Sequence, residues 1–409
     1  MTLDPVHRAG IADLARHISN AADEADHRAL ADDVWTTYLD PLTVDGEVVL
    51  EPVTDLARFD APFDDAGLQP DPFESVHGLD SGTINPRTFR NGLVVDVAQA
   101  AMAGVPSSLA LHRGRTIVKS VHSNDVRVNL ERDWTSFDDG YGRARVVQVG
   151  DLARDQERVV HGLSLYLAES SHALAHIDAV EECLLLDGPI YPKQLVAWAQ
   201  RHRGLRDLVA DEPLVEEVLD NYLTLVDRCL DRGLPLVGFV KNAGATALVR
   251  ALQSAGAPTP WASDLDLFCH VLERRDGGHR RTDRLAWTNW FYSRLGADAA
   301  FAEGDAGVDR ARPLSAYEVA FFVVYDPRTD VAYKVEVPRG LAEDEAIRTA
   351  VRNHVVREVA AEAGPPTAIG RADDLARIGR EETRALVTAL EAAFDSPEAS
   401  TYDDVRWAR

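Results

Sequence analysis

The sequence predicts an α/β protein: a mixed sheet flanked by helices, with an N-terminal helical extension and a C-terminal α+β part. Two observations carry this reading. Three β-rich stretches joined by short loops open the middle of the chain. After a long amphipathic run come two short, wholly apolar segments with helical stretches around them. The first pattern predicts antiparallel neighbours, and the second predicts strands buried on both faces in the parallel centre of the sheet.

In chain order, residues 6–38 read as helix, with Ile11, Leu14, Ala15 and Ile18 on one face. Residues 41–75, rich in proline and aspartate, read as an irregular connector with a short strand at Glu47 to Leu50. Ser75 to Ser81, Gly92 to Met102 and Arg115 to His122 are the three strand candidates. A proline-free apolar periodicity predicts one long helix from Leu152 to Val180. The apolar run Cys183 to Leu186 closes on Asp187-Gly188-Pro189, as a central strand should. Helical stretches at Lys193 to Gln200 and Leu214 to Arg232 lead to a second buried strand at Leu234 to Lys241, then a helix at Ala245 to Ser254. Three antiparallel strands, helix, strand, helices, strand and helix make up the ribonuclease H-like plan. Beyond Asp264 the chain is less regular, with a β-hairpin at Phe321 to Val337 and helices at Glu343 to Ala363 and Asp373 to Phe394. The predicted divisions are 1–74, helical region and connector; 75–262, ribonuclease H-like core; and 263–409, a C-terminal part.

Composition narrows the function classes. The chain has 409 residues and a formal net charge of −24, and only Lys119, Lys193, Lys241 and Lys334 among its basic residues are lysine. A dense carboxylate surface with little lysine suits molar intracellular salt, where self-repulsion is screened over about 3 Å. In such a protein an acidic balance does not exclude a nucleic-acid substrate. No apolar run is long enough for a membrane span, and no signal peptide opens the chain, so the cytoplasm is the expected location. Cys183, Cys229 and Cys269 are too scattered for a disulfide framework or a thiolate zinc site.

The candidate chemistry is carboxylate chemistry. Asp80 stands in Gly78-Leu79-Asp80-Ser81-Gly82-Thr83, ending an apolar approach, where Ser81 and Gly82 allow a turn and keep side chains clear. In the predicted fold the first strand neighbours the strand ending at Asp187, so the two acids face each other at one sheet end. Glu169, on the preceding helix, is the third candidate; Glu181 and Glu182 are alternatives, although Glu182 begins its strand at the opposite end. Converging carboxylates call for a hard divalent cation such as Mg²⁺ or Mn²⁺, and a pair of such ions cleaves phosphodiesters. Lys241 ends its strand at the same sheet end and can meet a phosphate or the carboxylates. Glu169, His172 and His176 share a helix, but they lack the HExxH spacing of a zinc helix and read better as surface histidines. Arg274-Arg275 and His279-Arg280-Arg281 are candidate phosphate contacts or solvent-facing charges.

With these motifs in order, the sequence resembles the NurA nuclease family. The resemblance rests on residues 78–83, on Leu185-Leu186-Asp187-Gly188-Pro189 and on Gly238-Phe239-Val240-Lys241. Ser263-Asp264 and Lys334-Val335-Glu336-Val337-Pro338 add to it. It implies a Mn²⁺-dependent nuclease acting on single-stranded DNA and DNA ends in the 5′ to 3′ direction. It also implies a homodimer that docks on a HerA-type hexameric ATPase in end resection for recombinational repair. Asp80 and Asp187 match the family's metal acids, with Glu169 the best-spaced glutamate between them. The chain departs from the family pattern where Arg371-Ala372-Asp373 puts an acid in place of a histidine, and where Lys334 replaces an arginine. Asp373 and Asp264 are possible C-terminal contributors to the site. A catalytically inactive structural partner of a motor ATPase and an RNA-directed nuclease are the alternative readings.

Overall fold

The computed structural model describes residues 24–123, 127–128, 130–149, 154–195, 213–241, 244–303 and 310–399. Residues 6–23 of the expected first helix and most of the Lys193 to Gln200 stretch lie outside these. Helices are α1 (Glu24–Tyr38), α2 (Arg154–His176), α3 (Pro213–Arg232), α4 (Ala247–Ser254) and α5 (Asp264–Leu272). They continue with α6 (Ala297–Glu303), α7 (Glu345–Glu362), α8 (Thr367–Ala376) and α9 (Arg380–Phe394). Strands are β1 (Leu42–Val44), β2 (Glu47–Pro52), β3 (Arg58–Pro62), β4 (Val76–Thr88), β5 (Val94–Val105), β6 (Arg115–His122) and β7 (Thr135–Phe137). The large sheet continues with β8 (Gly142–Val149), β9 (Leu184–Asp187), β10 (Leu236–Val240), β11 (Arg284–Thr288), β12 (Phe291–Ser293), β13 (Val319–Asp326) and β14 (Val331–Pro338), and Arg275–Asp276 and His279–Arg280 form a small separate hairpin.

The chain divides into two compact units: residues 1–63, 242–295 and 321–334, and residues 64–241, 296–320 and 335–409. In the first, strands run in the order β1–β2–β12–β13–β14, and β11 pairs with both β13 and β3. Its core gathers Trp35, Leu42, Leu50, Phe268, Phe291 and Phe321. Residues 41–75, expected to be an irregular connector, therefore supply three strands. Their short length and flanking prolines hide the strand period, while Leu42 and Leu50 are buried.

The second unit holds a mixed sheet in the order β14–β10–β9–β4–β5–β6–β8–β7. β9 runs parallel to β4 and to β10, while β4, β5 and β6 are antiparallel neighbours. This is the mixed sheet with parallel centre that the sequence predicts. Leu184, Leu185 and Leu186 are buried, as a strand covered on both faces requires.

Three local expectations are corrected. β4 does not turn at Ser81-Gly82: it runs on to Thr88, with an irregularity in the pairing between Ile84 and Arg87 where Asn85-Pro86 sits. β7 and β8 lie between β6 and the long helix and are absent from the sequence reading; β8 adds to the sheet parallel to β6. The helix expected over Asp373 to Phe394 is two helices, broken at Arg377-Ile378-Gly379. Gly379 is the N-cap of α9, and its N–H donates to the Glu382 carboxylate at 2.5 Å, one half of a capping box, at the start of a new helix.

Candidate metal centre

Strand register brings the first two acids together. Leu79 of β4 sits opposite Leu186 of β9, so Asp80 and Asp187, each one residue on, are neighbours at the end of β9. Phe239 of β10 lies opposite Asp187, and Lys241, two residues further, donates from Nζ to Asp187 Oδ2 at 2.5 Å. Asp80 lies close enough to Asp187 to feel its charge. The Ser81 N–H donates to Asp80 Oδ1 at 2.7 Å.

Alternation along β4 decides which side each residue faces. Gly78 and Gly82 lie directly against the α8 backbone at Ala368 and Ala376, so Asp80, between them in phase, projects on the α8 side. Ser81 points the other way, where its Oγ donates to Glu169 Oε1 at 2.6 Å. Tyr222 of α3 donates to the second oxygen of that carboxylate at 3.1 Å. β9 ends at Asp187, and just past it a cavity of about 250 Å³ is lined by Asp80, Asp187, Ser81, Glu169, Tyr166 and Tyr222. Glu169 thus approaches the pair from the opposite face of the sheet rather than over its end.

The electrostatics follow from this crowding. Burial, then the neighbouring charge of Asp187, pushes the Asp80 carboxyl up to about 8. Burial likewise raises Glu169 to about 7, against the hydrogen bonds from Ser81 and Tyr222 that favour its charge. Asp187 is raised by burial and by the charge of Asp373, with Lys241 pulling the other way. Carboxyls that bind protons more tightly folded than unfolded favour the folded state at low pH, and that stabilisation fades as pH rises toward 8. Chelated protein is therefore expected to unfold at lower temperature at pH 8.5 than at pH 5. Asp80→Asn should flatten that slope; thermal unfolding of both proteins across pH checks it, and equal slopes would refute the electrostatic account.

The donors fit a hard cation. All are oxygen ligands, burial raises each of the three acids, and Lys241 is the single cation bonded to the Asp80–Asp187 pair among the described residues. Among the described residues no three His, Cys, Asp or Glu side chains already stand as a cage for one ion. Both oxygens of Glu169 are engaged by hydroxyls, those of Ser81 and Tyr222.

The other sequence candidates separate clearly. Asp373 sits in α8 near Asp187 and pairs with Arg377. Asp264 lies in the first unit, where its Oδ1 accepts the Val249 N–H at 2.9 Å, joining α4 to α5. Glu182 accepts the backbone N–H groups of Glu74 and Ser75, away from the acid pair. His172 and His176 are not surface residues. His172 is fully buried, its Nδ1 is 2.9 Å from Thr116 Oγ1, and burial holds it well below the usual imidazole range. The arginine run is tied to acids of its own unit: Arg275 to Glu273, Arg280 to Asp330 and Arg281 to Asp283. Tyr222, Tyr166 and Arg377 are site neighbours that sequence reasoning missed. The tyrosines sit in apolar helical periodicity and read as core.

No curated protein matches the chain in sequence. Its structure is similar to the crystal structure of the NurA nuclease from Sulfolobus solfataricus, with a TM-score of 0.53 and 11% identity over 96% of this chain and 98% of that one. A crystal structure of NurA bound to dAMP and manganese matches with a TM-score of 0.42 and 12% identity, over 84% of this chain and 92% of the other. The NurA domain family model matches residues 74–378, most of the chain and all of the acid centre. The chain belongs to the NurA family.

Proposed function

We propose that this protein is a metal-dependent deoxyribonuclease, hydrolysing phosphodiester bonds in single-stranded DNA and at DNA ends. The observation that carries the reading is the Asp80–Asp187 pair, buried side by side and short of positive charge beside an open cavity. Family membership supports the same chemistry.

Asp80 and Asp187 would hold the cation, Mn²⁺ or Mg²⁺, with Glu169 joining them once its Ser81 bond is given up. When bound, the ion supplies charge stabilisation at the phosphate and an activated water. The chain's own groups do the rest. Lys241 favours the ionised form of Asp187 and presents a point charge where a phosphate oxygen would lie. Glu169, pushed up to about 7, holds or releases a proton near neutral pH. Tyr222 and Ser81 fix its orientation.

The test is cleavage of a 5′-labelled single-stranded DNA oligonucleotide, beside a matched RNA, in molar KCl with Mn²⁺. The DNA is expected to shorten, and EDTA to stop the reaction. Intact DNA with metal present, or cleavage confined to the RNA, would overturn the proposal. Family membership motivates a wider proposal: a homodimer working with a HerA-type hexameric ATPase in end resection and recombinational repair.

A further inference from the structure

Resting on the nuclease reading, we propose that Arg377 is a substrate-contacting residue that grips a phosphate of the DNA strand beside the Asp80–Asp187 pair. Three observations place it there. First, β4 has no side chain at Gly78 or Gly82, and a Cβ at Gly82 would lie 2.1 Å from the Ala376 carbonyl oxygen and 3.3 Å from Arg377 Cα. The end of α8 is thereby seated on β4 two residues past Asp80, on the face where Asp80 and Asp187 project.

Second, Arg377 has left the helix. It is the C-cap of α8, with extended backbone (ψ 129°) and its N–H on the Asp373 carbonyl, so its side chain departs from the helix end. The guanidinium pairs with Asp373 and, at 3.3 Å, with Asp374, and it lies close enough to Asp80 to feel that charge. Lys241 reaches Asp187 from β10, so the two cations approach the acid pair from different elements.

Third, Arg377 is able to change partners. Its side chain is 61% exposed and those of its acids are 46% and 73% exposed. Such solvent-exposed pairs hold weakly, and a phosphate's bidentate geometry competes well for a guanidinium. Arg377 also lines a cavity of about 570 Å³ on the same face, with Lys119, Gln99, Val97 and Ile117. A strand leaving the acid pair toward that cavity passes the guanidinium. In a chain of net charge −24, a polyanion needs such points of attachment.

The experiment compares wild type, Arg377→Ala and Arg377→Lys. Binding of fluorescent oligothymidylate is measured by anisotropy in EDTA over a range of salt, and cleavage kinetics are measured with Mn²⁺. Arg377→Ala is expected to raise KM about tenfold with kcat nearly kept, the mark of removing an interaction made equally in ground and transition states. The slope of log affinity against log salt should fall by about 0.7, the share of one single-strand phosphate. Arg377→Lys should restore most of the slope but less of the affinity. An Arg377→Ala protein with unchanged KM and salt slope overturns this role, and the nuclease reading stands if wild type still cleaves. A wild type that neither binds nor cleaves overturns both. Lower affinity with an unchanged slope marks a structural effect of the helix end and also overturns the phosphate contact.

Discussion

Asp80→Ala is expected to lower cleavage by on the order of a thousandfold, about 4 kcal/mol of barrier, while the protein stays folded. The expectation rests on position. Asp80 is 9% exposed, neighbours Asp187 across the β4–β9 register, and is raised further from its ordinary value than Glu169 is. Removing it leaves Asp187, already bonded to Lys241, and Glu169, engaged by Ser81 and Tyr222, to hold a divalent cation. Asp80→Asn should lose activity to the same extent, yet raise the stability of the chelated protein at pH 8, because the amide carries no charge to bury. Circular dichroism, thermal unfolding and the DNA assay on the two variants separate the cases. Retained cleavage in either would remove Asp80 from the reaction.

Lys241 is expected to be less decisive. Asp187 gains its charge stabilisation partly through it, against the burial and the Asp373 charge that raise that acid. The ordering of effects, acids first and Lys241 second, follows from what each group does: the acids hold the ion, and the lysine tunes one of them.

Much of this centre is legible in the sequence, because strands report their ends. An apolar run closed by an acid and a glycine, as at Leu184 to Gly188, gives both the strand and the place where its last side chain emerges. The same logic puts Asp80 and Lys241 at the Asp187 end, and the register has β4 and β10 flanking β9 on either side. Glu169 shows the limit. Helical period tells which residues share a face of α2, but not which face of the sheet that helix covers, so its approach through Ser81 has no local signal. Tyr222 lies in an apolar stripe and gives no sign of its hydroxyl's partner. Periodicity running through Arg377-Ile378-Gly379 masks the break between α8 and α9, although Gly379 followed by Glu382 is a start signal. The strands of residues 42–62 are short, and β2 and β3 pair with β12 and β11, which lie more than 200 residues later in the chain. Non-local pairing of that kind leaves little local pattern.

Gly82 carries the second large effect, and for a reason different from open space around a metal. A Cβ there would stand 2.1 Å from the Ala376 carbonyl oxygen and 2.9 Å from its carbon, both backbone atoms of α8. No rotamer change relieves a clash with backbone, so the helix end must move. Gly82→Ala is expected to cost about 3 kcal/mol, the upper part of the overpacking range. Gln99 adds to the cost, since its Nε2 donates to the same carbonyl at 3.2 Å and must follow or lose it. Gly78→Ala, whose Cβ would meet the Ala368 carbonyl at 2.1 Å, should cost about as much at the other end of the helix. The two differ in function. Gly82→Ala displaces Asp373 and Arg377 and should raise KM for DNA in the fraction that remains folded, whereas Gly78→Ala strains the helix start and should leave KM closer to wild type. Urea unfolding gives the stability difference, and kinetics at a temperature where both variants are folded give the KM difference. Equal KM in the two variants would mean that the α8 end takes no part in holding the strand.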